Sequence, residues 1–414
     1  SAMLCEYGMN FGAGATMQSD IYIQKVKPLV VQGPTAYFTV DSLRFEMGVE
    51  LAGMLAGAKV LQIDPAVAVV PTITKTGMAA LLPGAEEGIT IVPAREGMAA
   101  GIRGYTLYDS RDRQKYVYGI MADRVADITL GSVLTKGKKA LANSISNRDL
   151  IIVRSQEIDS FGEDDNVYQA RRVMTEVLVN IRKAVQRLAE SGIQNFVITS
   201  DHGHLFGEEL NEGMKLDPPG GETLELHRRC WIGRGGNSSP AFIRFSAAEL
   251  GQGGDLEFAF PVGTGGFKVK GGTQAYFHGG LSLQEVIIPV ITFKVDFFKP
   301  PKITDKFTIN MYRKEITNRL FTVSVLYVPA MFSPSELNVR LTAVEGGKEI
   351  AMAATAVYGF EEGTGTVTVR ANKENHVTMM VTGGEAKGEM AIQLLDAGTG
   401  LILGETKAQY HFAL

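Results

Sequence analysis

The sequence runs to 414 residues, 45% of them apolar and 21% charged, and 41 basic against 45 acidic side chains give a net charge of −4. These values fit a folded chain of two or three domains and exclude both intrinsic disorder and a polybasic nucleic-acid-binding protein. Two cysteines, Cys5 and Cys230, are too few for a disulfide framework or a paired-cysteine metal knuckle, and no run of about 18 apolar residues is present. A cytoplasmic chain without a membrane span is expected. Ser1-Ala2-Met3 reads as a cloning remnant, so residues 1–24 are expected to be the tail of a preceding region.

In chain order, Tyr37 to Val40 reads as a buried strand and Ser42 to Ala58 as the helix after it. Leu150 to Val153 is a second strand. Val167 to Ala189 is the clearest helix, with apolar residues at Val167, Ala170, Val173, Met174, Val177, Leu178, Ile181, Val185 and Leu188, and Ser191-Gly192 stops it. Phe196 to Thr199 and Val286 to Val290 complete the strand set. Short apolar runs alternating with helical stretches predict an α/β sheet with crossover helices over 25–298. Within it, residues 203–277 break into glycine, proline and short β-like runs, densest in glycine from Gly251 to Gly272, and are expected to form an insertion or lid.

The join falls near Phe297-Phe298-Lys299-Pro300-Pro301-Lys302. Beyond it the helical period vanishes. Strands are expected at Phe321–Val328, Leu337–Val344, Ile350–Val357, Val367–Arg370, His376–Val381 and Met390–Leu395, the spacing of an all-β, immunoglobulin-like sandwich over 302–414. It holds His376 and His411 but no cluster of chemical groups, so structural or docking work is expected of it.

Chemistry gathers beside the strand ends of the first domain. Ser200-Asp201-His202-Gly203-His204 follows a strand directly, where open α/β sheets collect ligands, and an Asp-His pair offers an oxygen and an imidazole to one metal. A plain strand-to-loop turn with a capping Asp is the competing reading of that motif alone. Asp41 follows another strand, Asp159 and Glu163 sit just beyond a third, and His278 precedes the last. Four carboxylates held together repel unless cations neutralise them. Two divalent ions would do so, with His202 and His278 as neutral ligands. The sequence lacks a GxxxxGK[ST] phosphate loop, a GxGxxG helix opening, HExxH and GxSxG.

The order Asp41, Pro71-Thr72-Ile73-Thr74, Asp159-Ser160-Phe161-Gly162-Glu163, Asp201-His202-Gly203 and His278 resembles the alkaline phosphatase superfamily. More narrowly, Val40 to Glu46, Gly77 to Pro83 and His278 to Pro289 resemble the PglZ family of bacterial phage-exclusion (BREX) defence systems, over about residues 25–295.

That resemblance implies Asp41, Asp201 and His202 as ligands of one metal, with Thr74 as the nucleophilic hydroxyl, and Asp159, Glu163 and His278 as ligands of a second. Glu163 replaces the histidine many superfamily members carry there, which favours manganese or magnesium relative to a nitrogen ligand and leaves zinc open. Thr72 and Thr76 are rival nucleophiles, but Thr74 fits the Pro-Thr-x-Thr pattern. Met78 stands where sulfatases carry Arg, which argues against sulfate esters. The implied activity is a metal-dependent phosphodiesterase on nucleotides or nucleic acid, with one or two divalent ions (zinc or manganese, magnesium third). His227 and Arg228 could supply cations to a phosphate, a surface basic cluster being the alternative; His204 is expected beside the site or at the surface. Other BREX proteins, and a second copy of the chain, are the expected partners. Two alternatives stand beside this reading: a metal-braced scaffold of a defence complex, and a small-metabolite phosphomonoesterase or phosphomutase.

Overall fold

The computed structural model describes residues 15–55, 58–162, 167–206, 212–269, 276–295, 305–313, 315–329, 334–383, 387–398 and 400–412. The chain divides into two compact units, residues 1–297 and 298–414. Among the described residues no helix is long and apolar enough to cross a membrane.

The first unit is built on a mixed seven-stranded sheet: β1 (Thr16–Met17), β2 (Thr35–Val40), β3 (Lys59–Val67), β4 (Val125–Thr129), β5 (Leu150–Ser155), β6 (Asn195–Ser200) and β7 (Ile287–Lys294), in the order β1-β3-β7-β6-β2-β5-β4. Strands β4, β5, β2 and β6 are parallel, and β7 runs antiparallel to both its neighbours. The central strands are continuous apolar runs because both faces are covered. Ala36, Phe38 and Val40 join one core with Leu178, Ile181 and Leu188 of the long helix Val167–Glu190, whereas Tyr37 joins the other with Ile152 and Val197. Burying each such Leu or Ile stabilises the unit by about 1.5–3 kcal/mol.

Two predicted boundaries shift for local reasons. The helix after β2, α1, spans Phe45–Met54 rather than starting at Ser42, because Ser42 turns into the left-handed region at φ 65°. Strand β7 starts at Ile287, because Leu283–Val286 form a short helix whose Glu285 carboxylate accepts the Ser282 backbone N–H at 3.0 Å.

Residues 203–277 include Glu222–Leu226, Trp231–Arg234, Phe242–Ser246 and Glu257–Pro261, which pair as a four-stranded antiparallel sheet. Trp231, Phe258 and Phe260 are fully buried there.

The second unit is β-rich. Lys306–Met311, Leu320–Val328, Glu374–Val381, Lys348–Ala356, Glu336–Glu345, Lys387–Asp396 and Ile402–His411 follow one another by antiparallel pairing, and Glu315–Ile316 adds in parallel at the edge. Thr366–Arg370 pairs with the first half of Glu336–Glu345, and Lys348–Ala356 with the second half. The inward residues Val323, Val325, Tyr327, Val339, Leu341, Val377, Met379, Ile392 and Leu394 alternate with more exposed ones and form its core.

Candidate metal centre and active site

Strand register creates the site. Val40 of β2 lies opposite Ser155 of β5 and Ser200 of β6, so three adjacent parallel strands end at one level. Neighbouring strands are about 4.8 Å apart. Asp41 and Asp201 are the next residues on β2 and β6, and Asp159 sits in the short helix Glu157–Gly162 after β5.

Asp41, Asp201 and His202 are buried, and their ligand atoms lie within 4.8 Å of one another. His202 Nε2 is 3.4 Å from Asp201 Oδ2 and 3.8 Å from Asp41 Oδ1. Both of those oxygens are buried without a hydrogen-bond partner. The other Asp201 oxygen, Oδ1, accepts the backbone N–H of Ser42 at 2.9 Å and of His202 at 2.8 Å, which fixes the carboxylate and turns Oδ2 inward. His202 Nδ1 stands 3.0 Å from the Gly203 carbonyl. A carbonyl only accepts, so Nδ1 carries a proton and Nε2 is the ring nitrogen turned toward the two carboxylates.

Two orphaned carboxylate oxygens and one imidazole nitrogen thus converge. Burial, reinforced by the Asp201 and Asp159 charges, pushes Asp41 well above the usual carboxylate range, and burial raises Asp201 as well. Unpaired buried charges are costly, and a divalent cation is the partner this donor set fits.

A second pair lies alongside. Asp159 Oδ1 is 3.7 Å from His278 Nε2, and the His278 ring stacks on His202 with centroids 4.4 Å apart and 8° between planes. His278 Nδ1 points at the Thr72 carbonyl at 3.3 Å, leaving Nε2 as a lone pair. Burial, with the neighbouring His202, lowers His278 to about 4, so the ring is neutral at pH 7. Glu163, the third residue expected here, lies outside the described residues.

Thr74 opens the helix α2 (Thr74–Ala80). Its Oγ1 is 3.4 Å from His202 Nε2, facing the first group. Its neighbours are committed elsewhere: Thr72 Oγ1 donates to the Gly280 carbonyl at 2.9 Å, and Thr76 Oγ1 bonds the Pro71 and Ile73 carbonyls at 2.5 and 2.9 Å. Helix α2 comes this close only because residue 77 is glycine; a Cβ there would sit 2.2 Å from the Asp201 carbonyl oxygen. Gly162 likewise leaves room for the Tyr276 ring, which a Cβ would meet at 2.3 Å.

His204 is buried beside the site rather than exposed, with Nδ1 3.0 Å from the Ser42 carbonyl, and burial lowers it to about 3. His227 Nε2 lies 3.0 Å from Glu225 Oε2, while Lys75, next to Thr74, pairs with Glu225 Oε1. Burial works against the Glu225 charge, but His227, Lys75 and the Met98 N–H outweigh it and hold the carboxyl at about 2. The Arg228 guanidinium sits 5.8 Å from the Phe277 ring centre, one residue before His278. Sequence reading missed Ser42, Lys75, Glu225, Tyr276 and Arg113, whose charge acts on both Asp41 and Asp201. The signal available was positional: Ser42 and Lys75 each adjoin a residue singled out.

A family model described as the BREX system PglZ alkaline phosphatase-like domain matches residues 21–293. The chain belongs to the PglZ family. Among curated relatives it is 26% identical over 351 residues to the alkaline phosphatase-like protein PglZ of Bacillus cereus (strain H3081.97), covering 81% of this chain. It is 28% identical over 298 residues to the alkaline phosphatase-like protein BrxZ of Escherichia coli O9:H4 (strain HS), covering 68% of this chain. The matched stretches span only 40% and 33% of those two relatives. The PglZ match takes in every residue of the two groups, from Asp41 to His278, and Thr74 between them.

Proposed function

We propose that the PglZ domain of this chain is a metal-dependent phosphodiesterase acting on nucleotides or nucleic acid, with Thr74 as nucleophile. The observation that carries this reading is the convergence of Asp41 Oδ1, Asp201 Oδ2 and His202 Nε2 beside Thr74 Oγ1. Asp41, Asp201 and His202 would hold one divalent ion, and Asp159 and His278 would contribute to a second. Zinc or manganese is favoured, with magnesium third. When bound, such ions supply positive charge that activates a hydroxyl and stabilises a departing oxygen.

The chain's own residues do the rest. Asp201 and His202 are held by backbone groups, which fixes Asp201 Oδ2 and keeps His202 Nε2 3.4 Å from Thr74 Oγ1 without reorganisation. Thr74 Oγ forms the bond to phosphorus as the bond to the departing alcohol breaks, and water then cleaves the phosphothreonine. Arg228 would offer a cation for the rest of a polyanionic substrate, beside Lys75 and His227, which are paired with Glu225.

The second unit fits a docking role, and its alternating strands support the immunoglobulin-like sandwich reading. Partners would be other BREX proteins in the bacterial cytoplasm, and a second copy of the chain.

Thr74→Ala is the test. Hydrolysis of bis-p-nitrophenyl phosphate with Mn²⁺ or Zn²⁺ should fall at least about a hundredfold while metal binding persists. Thr72→Ala and Thr76→Ala should retain turnover wherever they fold. Wild-type rates in Thr74→Ala would refute the nucleophile. Faster turnover of mononucleotide monoesters than of diesters would move the reading to a phosphomonoesterase, and metal binding without any turnover to a scaffold.

A further inference from the structure

Tyr276 and Ser42 join the two groups of ligands. Tyr276 Oη lies 2.8 Å from Asp159 Oδ1 and 2.6 Å from Ser42 Oγ. A phenol has one proton, and an ionised carboxylate can only accept. Tyr276 therefore donates to Asp159 and accepts from the Ser42 hydroxyl. The backbone N–H of Ser42 meanwhile donates to Asp201 Oδ1 at 2.9 Å. One residue thus grips the first group through its main chain and the second through its side chain.

The backbone of Ser42 is strained to do so. Its φ of 65° is unusual for a residue with a Cβ, and the residue is fully buried. The Ser42 carbonyl accepts from His204 Nδ1 at 3.0 Å, which pins the turn from a third side. The Tyr276 ring packs against Gly162, so the hydroxyl has a fixed position over Asp159.

We propose that Ser42 and Tyr276 are positioning residues that form a directed relay, Asp201 ← Ser42 → Tyr276 → Asp159, through which the first metal group orients the second. This rests on reading both groups as metal-binding. Partners in the outer shell typically change metal affinity 10–100-fold when removed. Because Asp201 and Asp159 share the relay, filling the first group holds Asp159 in its ligating pose and favours the second ion.

The test is calorimetric titration of the metal-free protein with Mn²⁺, with His278→Ala identifying the step that belongs to the second group. Tyr276→Phe keeps the ring on Gly162 and removes the proton; it should weaken that step about 10–100-fold and leave the first within about threefold. Ser42→Gly tolerates the positive φ and keeps the N–H. It should weaken the second step alone, and the double variant should be no weaker than Tyr276→Phe. Ser42→Gly leaves the ring untouched, so it supplies the result by itself if the phenylalanine variant does not fold. Unchanged affinities, or equal weakening of both steps, would overturn the relay and leave the metal reading intact. A wild type that takes up one ion would overturn the relay, and one that takes up none would overturn the metal reading as well.

Discussion

Asp201→Asn separates a site built for a cation from a site built for stability. In the metal-free protein Asp201 Oδ2 faces Asp41 Oδ1 and His202 Nε2, and neither carboxylate oxygen has a hydrogen-bond partner. An amide keeps the Oδ1 acceptor for Ser42 and His202 and replaces Oδ2 with a donor. A hydrogen bond to a charged group contributes about 1.5–3 kcal/mol. At about 2–4 °C per kcal/mol, melting in EDTA at pH 7.5 should rise by about 3–12 °C. The sign also holds for pH. Asp41 and Asp201 have folded pKa values above the unfolded ones, so the fold binds protons that the unfolded chain releases. Metal-free stability therefore falls as pH rises from the ordinary carboxylate range to the raised one, and the substitution flattens that slope. With Zn²⁺ at a hundred times its Kd the wild type should gain about 2.7 kcal/mol, whereas the variant should gain almost nothing at the first group. A variant that melts below wild type in EDTA, or that answers to metal as wild type does, would refute the reasoning.

Glu225→Gln should cost about 2–3 kcal/mol at pH 7, since the folded carboxyl is held at about 2 against 4.5 unfolded. That stability is complete above pH 4.5 and is lost as pH falls toward 2, so the gap between the urea midpoints of variant and wild type should shrink steadily below pH 4.5 and close only near pH 2; a constant gap would exclude the ion-pair origin. Gly77→Ala pushes a methyl into the Asp201 carbonyl, which backbone cannot yield cheaply. About 1–3 kcal/mol of destabilisation and a weaker first metal step are expected, and an unaffected protein would show that α2 is free to back away.

The strand ends were legible because they are chemically abrupt. Tyr37 to Val40 and Phe196 to Thr199 are apolar or β-branched throughout and are followed at once by Asp41 or by Ser200 and Asp201. Parallel pairing of β2, β5 and β6 then makes neighbours of carboxylates far apart in sequence. Thr74 was preferred to Thr72 and Thr76 by motif alone; that the Thr72 and Thr76 hydroxyls bond buried carbonyls was not legible in the sequence. Ser42 and Tyr276 were not legible. A hydroxyl that links two sites across 234 positions leaves no periodic trace. Within 203–277, Trp231 and Phe258 are buried in a four-stranded sheet, hidden among glycines that suggested an insertion or lid. Strand Ile402–His411 escaped notice because its polar, alternating Glu405-Thr406-Lys407-Ala408-Gln409 shows only a half-buried pattern.

Anomalous scattering at the zinc edge, from crystals of the Zn²⁺-loaded protein, tests the central claim most directly. A peak about 2 Å from Asp41 Oδ1, Asp201 Oδ2 and His202 Nε2 is expected, with a second beside Asp159 and His278. A fully loaded crystal with no peak at the Asp41–Asp201–His202 position would contradict it.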